Sequence, residues 1–367
     1  MTIYIETGYT TGIGRNSSYT PTRAVTNTNA FVIMNSSSSD TSTQGAHRWL
    51  IKGYIDDSGD VILIKGADAT ATGAASYQIV SCDQGEFEVE VQLTSIASGA
   101  ATATINLDVE ATPGQTMVIG SQNMGASLTT SITQGAFCTF ELTNSSTVTV
   151  ERNTTPSVVL QAAVQVVKWA PWTGVKVAHG TDSITSAIPK KTQFAHGVNN
   201  LDPESTWLIT SMRHNTTGLE QCSIAASLLD DSSVASSTNI YYQRYDQDTP
   251  YTSNVTWCLV MFPPGSIQIY NAPTDNSGTG TFQVVSIGEF MTATSAICYA
   301  TNTCNGTGTA FGRPKWIFVG FTTSGEYILT AQFNRGYSGQ ASEHDCQFIA
   351  IGGFKPQNPA LMLGIVA

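Results

Sequence analysis

Three carboxylates at alternating positions, Glu86, Glu88 and Glu90, are the densest group in the chain that could do acid–base chemistry. Alternate residues of a strand share one face, so the three would lie side by side. The intervening Phe87, Val89 and Val91 then point the other way. That pattern describes a strand with a solvated acidic face, or one set against a basic patch on a partner. Asp56, Asp57 and Asp60 resemble part of a calcium loop but lack the closing glutamate, and read as a plain turn. The five histidines, His47, His179, His196, His214 and His344, include no closely spaced pair of the kind a zinc site uses. His344-Asp345 reads as surface polarity. Neither a Gly-x-Ser-x-Gly elbow nor a phosphate-binding P-loop occurs. No catalytic residue, cofactor or metal site is therefore expected.

Seven cysteines are spaced irregularly: Cys82, Cys138, Cys222, Cys258, Cys298, Cys304 and Cys346. Cys82, Cys258 and Cys346 sit in or beside apolar runs and read as buried thiols acting as small hydrophobes. A disulfide between Cys298 and Cys304, in a loop rich in Gly, Thr and Asn, stays open. The aromatic candidates are Trp169 and Trp172, spaced by Ala-Pro, and Tyr241, Tyr242 and Tyr245 around Arg244. Such groups could stack on sugars, anchor a protein partner, or fill a domain junction. The apolar tail contributes Leu361, Met362, Leu363, Ile365 and Val366 as a candidate interface.

The elements that would carry these residues recur. An apolar run appears at Tyr77-Gln78-Ile79-Val80, Val164-Gln165-Val166-Val167, Trp257-Cys258-Leu259-Val260 and Gln347-Phe348-Ile349-Ala350, with starts 87, 93 and 90 residues apart. A basic residue, Lys65, Arg152, Arg244 or Arg335, stands 12 or 13 positions before each start, shortly after another strand-like run. Its long stem would cover a sheet edge while its head binds loop carbonyls. Helical periodicity is absent, and Thr, Val, Ile and Tyr are common. The expected fold is all-β, with four tandem β-sandwich modules, Ig-like or jelly-roll-like, of about 90 residues each.

The boundaries read as an arm or added edge strand at 1–29, modules at 30–100, 101–179, 180–272 and 273–358, and an apolar tail at 359–367. The clearest break is the Gly- and Pro-containing stretch from His179 to Pro203, which would pair the modules into two halves. A short helical turn is conceivable at Ile224-Ala225-Ala226.

Charged residues are only 12% of the chain, about half the usual ~25%, so Ser, Thr, Asn, Gln and Gly must supply the polar surface. The net charge is −11, and the densest basic point is the pair Lys190-Lys191. Nucleic acid and an anionic membrane are poor partners for such a surface. With no basic n-region at Met1-Thr2-Ile3-Tyr4 and no apolar run of transmembrane length, synthesis in a cytoplasm with reduced thiols is expected.

The repeat resembles structural proteins of tailed-phage virions. The segment that carries the likeness best is Asn239-Ile240-Tyr241-Tyr242-Gln243-Arg244, then Val255-Thr256-Trp257-Cys258-Leu259-Val260-Met261-Phe262, then Ser266-Ile267-Gln268-Ile269-Tyr270. Module one departs from it with Lys65 in place of arginine, and module four with a shorter spacing from Trp316 to Gln347. The resemblance implies a non-enzymatic virion component: a capsid decoration, head fibre, collar or tail accessory. It would assemble with other virion proteins and with itself, docking through residues 1–29 and 359–367. The alternatives are a carbohydrate-binding adhesin that contacts a host-surface glycan through the aromatic groups, and a β-rich glycosidase with an acid pair drawn from distant strands.

Overall fold

The computed structural model describes residues 3–13, 16–38, 50–66, 73–124, 135–153, 157–185, 191–215, 224–228, 237–244, 252–276, 282–286, 296–305, 317–323, 329–335 and 341–351. These form an all-β molecule of antiparallel three-stranded sheets. Single 3-10 turns lie at Pro113–Gln115, Pro171–Thr173 and Pro203–Ser205. Each begins on a proline, whose fixed φ suits a first helical position.

The strands fall into four sets of six. Set I is β1 (Ile3–Ile13), β2 (Ser17–Tyr19), β3 (Ala30–Ser38), β4 (Ile51–Ile55), β5 (Val61–Lys65) and β6 (Gly73–Cys82). Set II is β7 (Phe87–Ile96), β8 (Thr102–Asn106), β9 (Thr116–Met124), β10 (Thr139–Asn144), β11 (Thr147–Glu151) and β12 (Leu160–Trp169). Set III is β13 (Lys176–Ile184), β14 (Lys191–Ala195), β15 (Thr206–His214), β16 (Ile224–Ser227), β17 (Asn239–Arg244) and β18 (Ser253–Met261). Set IV is β19 (Ile267–Asn276), β20 (Phe282–Ser286), β21 (Ala296–Asn305), β22 (Ile317–Thr323), β23 (Leu329–Arg335) and β24 (Ala341–Ile351). In every set the sixth strand lies between the first and the third, and the fifth lies between the second and the fourth.

This pairing explains the repeated apolar run. The run lies on the sixth strand, the centre of its sheet, and in sets I, II and III that sheet is covered on both faces. One face of β12 (Ala162, Val164, Val166) packs on β10 and β11 of its own set. The other (Val167, Trp169) enters a cluster shared with sets I and III. A strand buried on both sides needs apolar residues at nearly every position. The second and fifth strands sit in the outer sheet, and β8 and β11 alternate accordingly.

The pairing also moves several expected boundaries. Ile3–Ile13, inside the segment read as an arm or edge strand, is the edge strand of the β1-β6-β3 sheet. Phe87–Val91, read as closing the first module, pairs with β12 and so belongs with the strands that follow it. Lys176–Ile184, which crosses into the stretch read as a break, is a continuous strand along β18. Its Gly180 serves packing: the Trp257 ring lies across it, and an added Cβ would run into that ring. Gly8 is covered by Tyr77 in the same way. Ile224-Ala225-Ala226 is strand β16, not a helical turn.

The fourth run is offset by one residue. Cys82, Trp169 and Ile351 stand opposite the opening core residue of their sets, Ile3, Phe87 and Ile267. Gln78, Gln165 and Gln347 each lie four positions earlier, so Gln347 matches Gln78 rather than Tyr77. A one-residue slip exchanges the two faces of a strand, which is why an apolar run alone did not reveal it.

Candidate interaction surfaces

The aromatic candidates separate by burial. Trp169 is buried, its ring edge-on to Phe87 at 5.2 Å and Phe262 at 5.3 Å. Tyr242 is also buried, with its hydroxyl donating to Asp182 Oδ2 at 2.7 Å. Burial, followed by the Asp182 charge, raises the Tyr242 pKa well above its ordinary value, and burial raises that of Asp182. Trp169 packs in a cluster shared among sets and Tyr242 in the core of set III, so both are withdrawn from any surface platform. Tyr241 is partly exposed on β17, and Trp172 is 59% exposed on the Pro171–Thr173 turn. Tyr245 and the tail residues Leu361, Met362, Leu363, Ile365 and Val366 lie outside the described residues.

The acidic strand is not a uniformly solvated face. Glu86 is fully buried and accepts from Gln84 N at 3.1 Å. Glu90 is paired with Lys168 Nζ at 2.6 Å and accepts from Asp108 N at 2.8 Å. Burial alone would raise the Glu90 pKa, but the bonds from Lys168, Asp108 and Gln92 outweigh it and hold the carboxyl below its usual range. Glu88 remains exposed. The alternation is real, but the start of the strand dips inward and Lys168 arrives from β12, 78 residues away.

Asp56 closes a turn between β4 and β5. It accepts from Ser58 N at 3.0 Å, Ser58 Oγ at 2.6 Å and Asp60 N at 3.0 Å. Gly59, at φ +85°, completes that turn. No group of three or more His, Cys, Asp or Glu placed to hold a metal occurs among the described residues. The His344-Asp345 backbone lies within β24.

Cys82, Cys138 and Cys258 are free and buried. Burial pushes all three thiol pKa values up. Cys298 and Cys304 share strand β21, not a loop. Six residues of strand separate their Cα atoms by about 20 Å, far beyond the roughly 4.4–6.8 Å that a disulfide spans. They cannot pair with each other in this fold.

Arg152 behaves as the repeated basic residue was expected to. It is fully buried, and its guanidinium donates to the carbonyls of Ala100 at 3.0 Å, Val158 at 2.9 Å and Ala97 at 2.8 Å. Burial lowers its pKa. Lys65 is buried at the matching place.

Neighbouring sets meet through a repeated contact. β4 packs on β9 and β12, β10 on β15 and β18, β16 on β21 and β24, and β22 on β3 and β6. The fourth strand of each set thus lies against the next set, and set IV returns to set I. Uncharged hydrogen bonds recur there. Gly53 N donates to Ser121 Oγ at 2.9 Å, and at the equivalent position Phe140 N donates to Ser211 Oγ at 2.9 Å. Buried Gln165 accepts from Val32 N and donates to Val32 O, both at 2.8 Å, so its amide imitates a strand rung between sets II and I. Tyr299 does the same to Thr210 between sets IV and III, with both bonds at 2.9 Å. An ion pair, Arg213 with Glu151, joins sets III and II. None of these connecting groups was singled out from the sequence. The recurrence of glutamine inside the apolar run was the one available signal.

Beside the turn that carries Trp172, an open cleft of about 570 Å³ lies between sets I and II. Asn29, Glu88, Glu110, Gln115, Lys168 and Pro171 are among its lining residues. Comparison with known protein families, with curated proteins and with solved structures found no match.

Proposed function

We propose that each six-strand set is one β-sandwich module, that the four modules close into a ring, and that this ring is a non-enzymatic structural component of a tailed-phage virion. The modules would span residues 3–82, 87–169, 176–261 and 267–351. The observation that carries the reading is the circuit of contacts in which the fourth strand of every set packs on the next set and β22 returns to β3 and β6. A head-to-tail contact that closes after a fixed number of copies builds a ring, and rings of β modules suit a part that is held by its neighbours. The contacts within the circuit are mainly apolar or uncharged, in keeping with a chain that is only 12% charged.

In this reading the partners are other virion proteins and further copies of the chain. The location is the particle exterior, as a decoration, head fibre, collar or tail accessory. Neither nucleic acid nor a lipid bilayer is a partner. Mass spectrometry of density-purified particles tests it. The chain should co-purify with intact particles at a fixed copy number, high for a decoration and low for a collar or fibre. Its absence from particles would overturn the proposal.

A further inference from the structure

We propose that the cleft between sets I and II binds a neutral oligosaccharide, independently of any assembly role. Sugar hydroxyls both donate and accept hydrogen bonds, so a site that holds them needs carboxylates and amides together. The cleft supplies both. Glu88 and Glu110 are exposed carboxylates, and Asn29 and Gln115 are amides that also line it. Asn29 Oδ1 already accepts from Thr26 N at 2.8 Å, which leaves its NH₂ to donate.

The charged partners nearby are spent internally. Lys168 is held by Glu90 at 2.6 Å and by Val109 O at 2.7 Å, and Asp83 is held by Arg23. What remains is a mixed donor and acceptor surface, unlike the all-acceptor surface that a cationic segment would select.

The apolar element is Trp172. It follows Pro171, a lining residue, and is 59% exposed on a turn whose backbone is fixed by proline and by Gly174 at φ +71°. An exposed indole on a rigid turn offers a flat face for the C–H side of a pyranose ring. A cleft of about 570 Å³ lies within the size range of small-ligand sites.

The test uses the full chain on a printed panel of neutral and acidic oligosaccharides. Isothermal titration with the strongest neutral binder follows, with a lysine nonapeptide as the cationic probe. The expected result is saturable binding of a neutral oligosaccharide, weakened about tenfold by Trp172→Ala and less by Glu110→Gln. Tyr9→Ala, which alters an exposed ring on β1, should leave it unchanged. Retention of no neutral oligosaccharide, retention of the lysine peptide alone, or equal affinity in Trp172→Ala would each overturn the proposal. Should Trp172→Ala melt early, Glu110→Gln at an exposed carboxylate decides the matter, and unchanged affinity there counts against the site.

Discussion

The molecule has two kinds of interior, and they are built from different side chains. Within set II the core between the two sheets is mainly aliphatic, with Ile105, Leu142, Val148, Val150, Leu160, Val164 and Val166 around a single ring, Phe140. The cluster shared among sets adds five large rings, Phe31, Phe87, Trp169, Trp207 and Phe262, to its Ile, Val and Met side chains. Phe31 meets Phe87 at 5.3 Å, Phe87 meets Trp169, and Trp169 meets Phe262, a continuous path of edge-on rings from set I through set II to set III. β-Branched and aliphatic residues suit a pleated surface facing a sheet of the same set. Large rings cover more area per residue and so join surfaces contributed by segments far apart in the chain. The contrast teaches that set II is held mainly by aliphatic packing, whereas a path of large rings helps to hold neighbouring sets together. Set III departs from it by carrying Tyr242 and Trp257 in its own core.

The largest expected effect that could break this division comes from Trp207, which is fully buried in the shared cluster. Trp207→Ala should cost about 3–5 kcal/mol in urea unfolding. Hydrogen exchange should accelerate first at β9, β15 and β18. Leu160→Ala, in the aliphatic core of set II, should cost about 2–5 kcal/mol, with faster exchange concentrated in β8, β10 and β11. Identical exchange patterns for the two variants would mean that the interiors are not separable.

A smaller effect sharpens the view of the contact between sets. Gln165→Leu removes both bonds to Val32 and leaves a backbone N–H and C=O without partners, for about 1–3 kcal/mol. The loss should appear as faster exchange at Val32 while β10 and β11 remain protected.

The smallest effect is a pH dependence at the contact between sets II and III, where His179 Nε2 lies 2.8 Å from Thr116 O. Burial lowers the His179 pKa below the ordinary 6.5, against the opposing pull of Thr116, Pro113 and Glu141. The folded chain therefore binds this proton at lower pH than the unfolded chain does. Stability is complete above pH 6.5 and falls as the pH drops from there through the folded value. His196 is lowered by burial as well, so His179→Gln should flatten only part of the decline in melting temperature between pH 7 and pH 5. An unchanged slope would remove His179 from the account.

The all-β character was readable in the sequence because the sixth strands β6, β12 and β18 are covered on both faces and carry mostly apolar runs, as in Val164 to Val167 with its one polar residue, Gln165. The Asp56–Asp60 turn was readable because its bonds are local. Membership of a sheet was not. Phe87–Val91 pairs with β12 and β1 with β6, each with partners at least 60 residues on, and no local pattern announces such a partner. Gly180 looked like a breaker because the ring that covers it belongs to Trp257. The aromatic candidates were recognisable by type but not by exposure. Trp169 and Trp172 stand three residues apart, yet one is in the shared cluster and the other faces solvent.

The buried thiols give the two interiors separate clocks. Cys138 lies in the aliphatic core of set II, whereas Cys82 and Cys258 lie in the aromatic cluster. Burial keeps each sulfur protonated, and only the thiolate is alkylated at a useful rate. Modification must therefore wait for the surrounding interior to open. Peptide-resolved alkylation of the unaltered chain thus times the opening of each interior in a single experiment.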